Sequence, residues 1–378
     1  MVIFWYNIIG EKMKNIKILT FHNAENYGAT LQAYALKEKL KMLKTNPSFI
    51  NYKNKDILKD YKLFRTNSLK AIFSSIWFLS KNLKRKNNFK KFIVKYLDGD
   101  TKAYYTKESI ESDIREKDVY IAGSDQIFNP NLTNGLSDIY TLNFNKEIKS
   151  IIYGASVGNE EVLNKYYEDY TNKLKHIDML SVREDSIAKS LEKITNKKVE
   201  KVLDPTLLLD RKAWDKLLLE NNPIKLNDKK YILVYTLFEN SEITKIANFL
   251  SEKTGLKIVH FRKYNVYDNE MISLYNKGPI DFINAFKNAR YVVTNSFHGL
   301  VFSIIFEKNF YTVMPNERAS RLKDLIDLVG LQERTIETAD EMFDINIYNN
   351  IDYTKITPIL DCEKEKSINY LKKGINLK

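Results

Sequence analysis

Arg290-Tyr-Val-Val-Thr-Asn-Ser-Phe-His-Gly-Leu-Val-Phe-Ser-Ile-Ile-Phe306 decides how this chain is read. Its first part is short and β-branched, as a buried strand ending at Thr294 would be. Its second part, from Leu300 to Phe306, suits a buried helix with Ser296 as its N-cap. His298 and Gly299 then stand at a strand-to-helix turn, where free backbone N–H groups and the helix dipole favour an anion. With 4 histidines in 378 residues, one at that place is a candidate for chemistry. The competing reading is a histidine satisfied within the core.

The same alternation extends in both directions, which is the α/β pattern. Ile16 to Thr20, Val119 to Ala122, Ser150 to Tyr153 and Met179 to Val182 read as strands. Ala29 to Leu43 and Asp185 to Ile194 read as helices. A break follows, from Asp204-Pro205-Thr206 through a short helix around Trp214 to the turn cluster Asn221-Asn222-Pro223. A second series then begins. Tyr231 to Tyr235 and Lys257 to His260 are strands, and Ser241 to Thr254 is a helix. Pro279 opens another helix with Ile280 to Ala289 as its body. The series closes with Phe310 to Val313 and a helix from Arg318 to Val329. The expected architecture is two Rossmann-like, doubly wound domains facing a cleft. Residues 16–205 form the first domain, with a helical insertion at about 65–118. Residues 206–228 are a linker, 229–345 the second domain, and 346–378 a helical tail. Residues 1–15 are an extension, with Met13 a candidate natural start.

Composition narrows the chemistry. The single cysteine, Cys362, excludes an internal disulfide or a cysteine-based metal cluster. The scattered histidines show no paired metal spacing, so no metal is expected. No run reaches the ~18–20 apolar residues of a membrane span, and the first nine residues lack the basic leader and cleavage site of a signal peptide. A cytoplasmic protein is expected, at the inner face of the membrane if its basic segment docks there. The net charge is +12, and Lys81 to Lys95 holds seven basic residues and no acidic one. Nucleic-acid binding is not expected, since no binding motif accompanies the charge. Peripheral contact with an anionic membrane or lipid-linked substrate competes with a merely solvated lysine face.

Ligands of open parallel sheets bind outside the carboxyl ends of the strands. Four polar loops lie there: His22 to Gly28, Gly123-Ser124-Asp125-Gln126, Arg183-Glu184-Asp185, and Ser296 to Gly299. Each has an ordinary explanation: Gly28 and Gly123 as tight turns, Asp125 and Asp185 as caps, Arg183 as a structural ion pair. Together they give backbone donors, an arginine, a histidine and carboxylates around one crevice. An arginine fork suits phosphate or carboxylate. Arg318 and Arg321 add two cations at a helix N-terminus, where they oppose the dipole unless an anion is bound.

These segments, in this order, resemble the polysaccharide pyruvyl transferase family. The matching stretches are Thr20 to Ala29 with Leu31 to Leu36, Ala122 to Pro130, Gly154 to Gly158, Ser181 to Asp185, Val202 to Thr206, Thr294 to Gly299, and Arg318 to Leu322. The resemblance covers roughly residues 16–330. It implies a fold similar to the GT-B glycosyltransferases. It also implies transfer of an enolpyruvyl-derived group from phosphoenolpyruvate to a sugar or lipid-linked oligosaccharide, in cell-surface polysaccharide synthesis. The product would be a pyruvate ketal, with phosphate released and no cofactor beyond the co-substrate. On that mapping His298 and Asp125 are catalytic, and Arg183, Ser296, His298, Gly299, Arg318 and Arg321 hold the donor. Asn26, Tyr27, Gly28, Gly123, Ser124, Asp125 and Gln126 face the acceptor. One position departs: where well-studied members carry an arginine before the histidine, this chain has Phe297. Arg318, Arg321 or Lys308 would then substitute, or the donor differs. The alternatives are a glycosyltransferase of the same shape using a nucleotide-activated sugar, for which Phe297 would stack on the base, and a non-catalytic sugar-binding relative.

Overall fold

Strands flanked by helices on both faces lose their polar faces, and the apolar runs of this chain become the centres of two all-parallel sheets. The computed structural model describes residues 13–63, 74, 76–226, 230–263, 271–314 and 319–377. In the first half, β1 (Asn15–Leu19) and β2 (Asn46–Phe49) are followed by a small ribbon of β3 (Asn51–Tyr52) and β4 (Ala103–Tyr104). Then come β5 (Val119–Asp125), β6 (Lys149–Ala155), β7 (Met179–Val182) and β8 (Val199–Lys201). The six-stranded sheet runs β2-β1-β5-β6-β7-β8. In the second half, β9 (Ile232–Tyr235), β10 (Ile258–His260), β11 (Met271–Ser273), β12 (Tyr291–Thr294) and β13 (Asn309–Thr312) run β11-β10-β9-β12-β13. Every pairing in both sheets is parallel.

In each sheet the chain winds outward on one side, then returns to the middle and winds the other way. The reversal falls between β1 and β5 in the first sheet and between β9 and β12 in the second. Crevices at such switch points are where open α/β sheets bind ligands.

The two halves share a core. Trp214, on the helix Arg211–Leu219, is fully buried. Its ring lies 5.7 Å from Tyr34 in the first half and 5.1 Å from Phe302 on the His298 helix. Tyr27 stacks on Phe282 at 4.5 Å. The last helix, Tyr353–Gly374, leaves the second half and returns to the first. There the Tyr370 hydroxyl donates to the Ile152 carbonyl (2.8 Å) and Ser367 accepts from the Leu203 amide (2.9 Å).

Five strands differ from the sequence expectation by being unforeseen: β2, β3, β4, β8 and β11. β3 and β4 form the small ribbon, and β2, β8 and β11 are sheet edges with partly exposed positions that can carry polar residues; Pro47 in β2 is tolerated at an edge. The expected insertion at about 65–118 contains the helix Leu79–Tyr96 and the β4 ribbon, with residues 64–73 and 75 outside the described residues.

Candidate active site

The two switch points face one another across a cavity of about 210 Å3. Asn26 after β1, Asp125 and Gln126 at the end of β5, Leu237 and Phe238 after β9, and Asn295 to His298 after β12 line it, together with Arg321 from the helix Ala319–Val329. Four loops from four strands thus meet because both sheets reverse at the same place.

Beneath this cavity lies a charged network. The Arg183 guanidinium is buried and donates through Nη1 to Asp204 Oδ2 at 2.5 Å, with Nη2 3.6 Å from Asp125 Oδ1. Asp204 is fully buried, and its other oxygen accepts from the Thr206 amide (3.0 Å) and hydroxyl (2.6 Å). His298 Nε2 stands 3.7 Å from the same Oδ2 that Arg183 holds. Burial alone would raise the Asp204 pKa, but His298, Arg183 and Thr206 outweigh it and hold the carboxyl well below its usual range. Burial likewise works against the Arg183 charge, and Asp204, Asp125 and Glu184 reverse the effect and push its pKa up.

A second buried pair stands beside the first. Glu184 Oε1 accepts from Ser156 Oγ and lies 3.7 Å from Arg321 Nε. Its burial raises the carboxyl pKa, against the pull of Arg183 and Arg321. Phe297 sits between the two systems: the guanidinium carbons of Arg183 and Arg321 lie 5.3 and 5.8 Å from its ring centroid, and His298 meets it edge-on at 5.3 Å. Both arginines are thus held by a cation–π contact as well as by a carboxylate.

Buried polar atoms without hydrogen-bond partners gather here: Arg183 Nε and Nη2, Glu184 Oε2 and His298 Nε2. Each such atom costs about 1–3 kcal/mol in a dry interior. Two of them face a carboxylate just beyond hydrogen-bond range, Arg183 Nη2 at Asp125 and His298 Nε2 at Asp204.

Glycine makes room for the histidine. A Cβ on Gly28 would stand 2.1 Å from His298 Nδ1, so the first turn of the helix Tyr27–Met42 approaches the imidazole as only glycine allows. Gly299 does the same on the other side, where a Cβ would meet Thr294 Oγ1 at 2.1 Å. Asn26 caps its helix by accepting from the Ala29 amide (3.1 Å), and Ser296 caps the His298 helix.

The sequence-derived residues therefore divide. His298, Ser296, Arg321, Asn26, Asp125 and Gln126 line the cavity. Asp125 also carries a φ of +78°, costly for a residue with a side chain by about 1–3 kcal/mol, and accepts from the Gln126 amide (2.8 Å). Others need correction. Arg183 lies behind Phe297 and is engaged by Asp204, so it supports the site from below. Gly28 and Gly299 serve His298 by close packing. Gly123, with φ +120°, would drive a Cβ to 2.1 Å from the Tyr153 carbonyl, and so is a backbone crossing rather than an acceptor contact. Ser124 is fully buried, donating to the Gly154 carbonyl (2.7 Å) and accepting through its own carbonyl from Thr20. The Tyr27 hydroxyl is consumed by the Lys277 carbonyl and Arg85, each at 2.7 Å. Lys308 lines a separate cavity with Arg290 and Asn309, away from this one. Arg318 lies outside the described residues. Asp204 and Glu184 were not foreseen as site residues. Asp204 reads as the cap of a short helix, and only its burial beside Arg183 and His298 gives it another part. Among the described residues no cluster of three or more His, Cys, Asp or Glu is placed to hold a metal.

Two parallel α/β halves joined by a returning C-terminal helix, with a charged cleft between their switch points, define the GT-B-like fold class. Solved structures align over nearly the whole chain. UDP-N-acetylglucosamine 2-epimerase from Rickettsia bellii does so with a TM-score of 0.54 at 12% identity, covering 97% of this chain and 98% of that one. A putative UDP-N-acetylglucosamine 2-epimerase from Listeria monocytogenes gives 0.53 at 9% identity, covering 96% of each. MnaA of S. aureus, solved with UDP, gives 0.51 at 14% identity, covering 97% and 98%. These likenesses carry the fold alone. No curated protein sequence matches the chain. The family model for polysaccharide pyruvyl transferase matches residues 26–317, and the chain belongs to that family.

Proposed function

We propose that the protein moves an enolpyruvyl-derived group from phosphoenolpyruvate to a sugar and closes it as a pyruvate ketal, releasing phosphate, during cell-surface polysaccharide synthesis. The observation that carries this reading is His298, which lines the cavity with Ser296 and Arg321 and is backed by the buried Asp204 at 3.7 Å. The donor brings a carboxylate and a phosphate, and an arginine beside a helix N-terminus suits such anions.

In this scheme a proton reaches the donor methylene carbon and makes it a methyl group. A sugar hydroxyl bonds to the neighbouring carbon and yields its proton. The bond from that carbon to the phosphate oxygen breaks, and a second hydroxyl closes the ketal. His298, in protonated form, is either the acid or the group that holds the leaving phosphate. Asp204 orients it and stabilises its charge. Arg321 faces the donor, and Arg183 holds Asp204 and Asp125 in place behind Phe297. Asp125, at the cavity edge, is the candidate base for the hydroxyl. Asn26 and Gln126 are left to meet the acceptor, in free or lipid-linked form.

Phe297 bears on the rival donor. A ring that stacks on a nucleotide base needs an open face, whereas this ring is 8% exposed and already meets two guanidinium groups and His298. In this reading Arg321, which lines the cavity, supplies the cation that position 297 lacks.

Phosphate release from phosphoenolpyruvate, measured with a panel of sugars, tests the proposal. Enzyme-dependent release that requires a sugar is expected. No release with any sugar, and no rise in melting temperature with phosphoenolpyruvate, would overturn it and redirect the search to nucleotide sugars.

A further inference from the structure

The helix Leu79–Tyr96 is built with two working faces. Its inner face is fixed to the protein. Phe89, Phe92 and Ile93 are buried, and Arg85 donates to the Tyr27 hydroxyl (2.7 Å), the Tyr275 carbonyl (3.0 Å) and the Glu25 carbonyl (3.0 Å). One of the seven basic residues of this segment is therefore structural, and it ties the helix to both halves. The outer face is exposed among the described residues. Leu83 and Val94 are 47% and 38% exposed and fall on one line, about three turns apart. Ile76 and Trp77, in the turn before the helix, are 57% and 84% exposed. The 3.6-residue repeat places Asn87 and Lys90 between Leu83 and Val94 on that line, with Lys84 and Lys91 on one flank and Lys86 on the other, and all four lysines are exposed.

Exposed apolar residues set among lysines, next to an exposed tryptophan, suit a helix lying in the plane of a membrane interface. The apolar residues reach the acyl boundary and the lysines reach anionic headgroups. No helix among the described residues is long and apolar enough to cross a membrane, so contact would be peripheral. We propose that the outer face of this helix docks the protein on an anionic lipid surface. The charge argument favours this occupant over a second copy of the chain, since two such faces would bring eight lysines together.

The docking does not depend on the donor chemistry. Its consequence does: Asn82 and Arg85, on the inner face of the same helix, line a cavity of about 400 Å3 that shares Asn26, Tyr61, Tyr235 and Leu237 with the candidate donor cavity. A docked protein would open its cleft beside the headgroups, where a lipid-linked acceptor is presented.

Co-sedimentation of the full chain with vesicles tests the docking. Phosphatidylcholine vesicles are compared with vesicles that also contain phosphatidylglycerol, at low and raised salt. Binding is expected only with the anionic lipid and is expected to weaken with salt. Each lysine at such a surface contributes about fivefold in affinity, so K84E, K90E and K91E combined are expected to weaken binding about 100-fold or more. A separate variant, Trp77→Ser with Leu83→Ser, is expected to weaken it less. Both variants should keep the wild-type melting temperature, as their side chains face outward. Absence of binding to the anionic vesicles, or equal binding by the lysine variant, overturns the proposal. So does a dimer in sedimentation velocity that the lysine variant abolishes while vesicles are ignored. Binding to a homopolymer RNA with the same lysine dependence, and none to vesicles, assigns the charge to nucleic acid instead.

Discussion

His298 and His22 each follow a strand at the switch point of its sheet, and each is more than nine-tenths buried, but they meet opposite surroundings. His22 lies with Nδ1 3.1 Å from the Thr20 carbonyl and Nε2 3.1 Å from the Asn23 side-chain Nδ2, its ring 4.6 Å from Phe49. Burial, with Lys53 adding to it and the Thr20 carbonyl opposing, drives its pKa down to about 3. It is a neutral wedge. His298 has the ionised Asp204 on one side, a glycine shaved to fit on another, and a cavity in front. Burial alone silences a histidine. His298 meets a buried carboxylate and an opening, and His22 meets neither.

Four experiments strain this contrast, beginning with the largest effect. His298→Ala should lower turnover by about 10²–10⁴-fold, the usual contribution of a positioned acid or base, without changing the circular dichroism spectrum. Retained turnover would remove His298 from the chemistry and erase the contrast. Asp204→Asn should cost about 3–5 kcal/mol of stability, because Arg183 would be left buried beside an uncharged group. Denaturant titration reads this directly, and a loss under 1 kcal/mol would mean that the arginine finds another partner. Gly28→Ala should push the imidazole aside and lower turnover about 100-fold, with the melting temperature affected less than by Asp204→Asn. If turnover and stability fall together, the glycine serves packing in general and not His298 in particular.

The smallest effect concerns His22. Between about pH 6.5 and pH 3 the unfolded chain binds a proton at His22 that the folded chain refuses. The unfolded state then holds more protons, so stability rises with pH across this window and is lost as pH falls through it, by up to ~1.4 kcal/mol per pH unit. His22→Gln should flatten that slope in urea titrations at several pH values while leaving turnover within a few-fold of the wild type. An unchanged slope would place the acid sensitivity elsewhere.

The central strands, the helices behind them and the loops that carry the site were legible because double-sided burial writes long apolar runs into the sequence. β12 and the His298 helix are the clearest case. The edge strands β2, β8 and β11 were not legible, since their positions are partly exposed and polar, whereas the edge strand β13, buried throughout, was. Residues that line the cavity were legible where chemistry and position coincide, as at His298, Arg321 and Asp125. The string does not show where a polar or small residue of the same loop does structural work. Ser124 and the Tyr27 hydroxyl spend their hydrogen bonds inside the protein, and nothing in a one-dimensional string reports where a hydroxyl points. Asp204 and Glu184 were hidden for the converse reason, since burial gives a carboxylate its value here and burial is a property of the fold.

The returning helix Tyr353–Gly374 has a consequence for how the protein is made. Its Tyr370 and Ser367 close hydrogen bonds on Ile152 and Leu203 in the first half, and a Cβ on Gly374 would stand 2.7 Å from Ile151. During synthesis the first sheet leaves the ribosome with that face open, and it stays open while more than a hundred residues of the second half are added. The N-terminal half therefore gains this layer only after the second half has been made, when the helix Tyr353–Gly374 arrives.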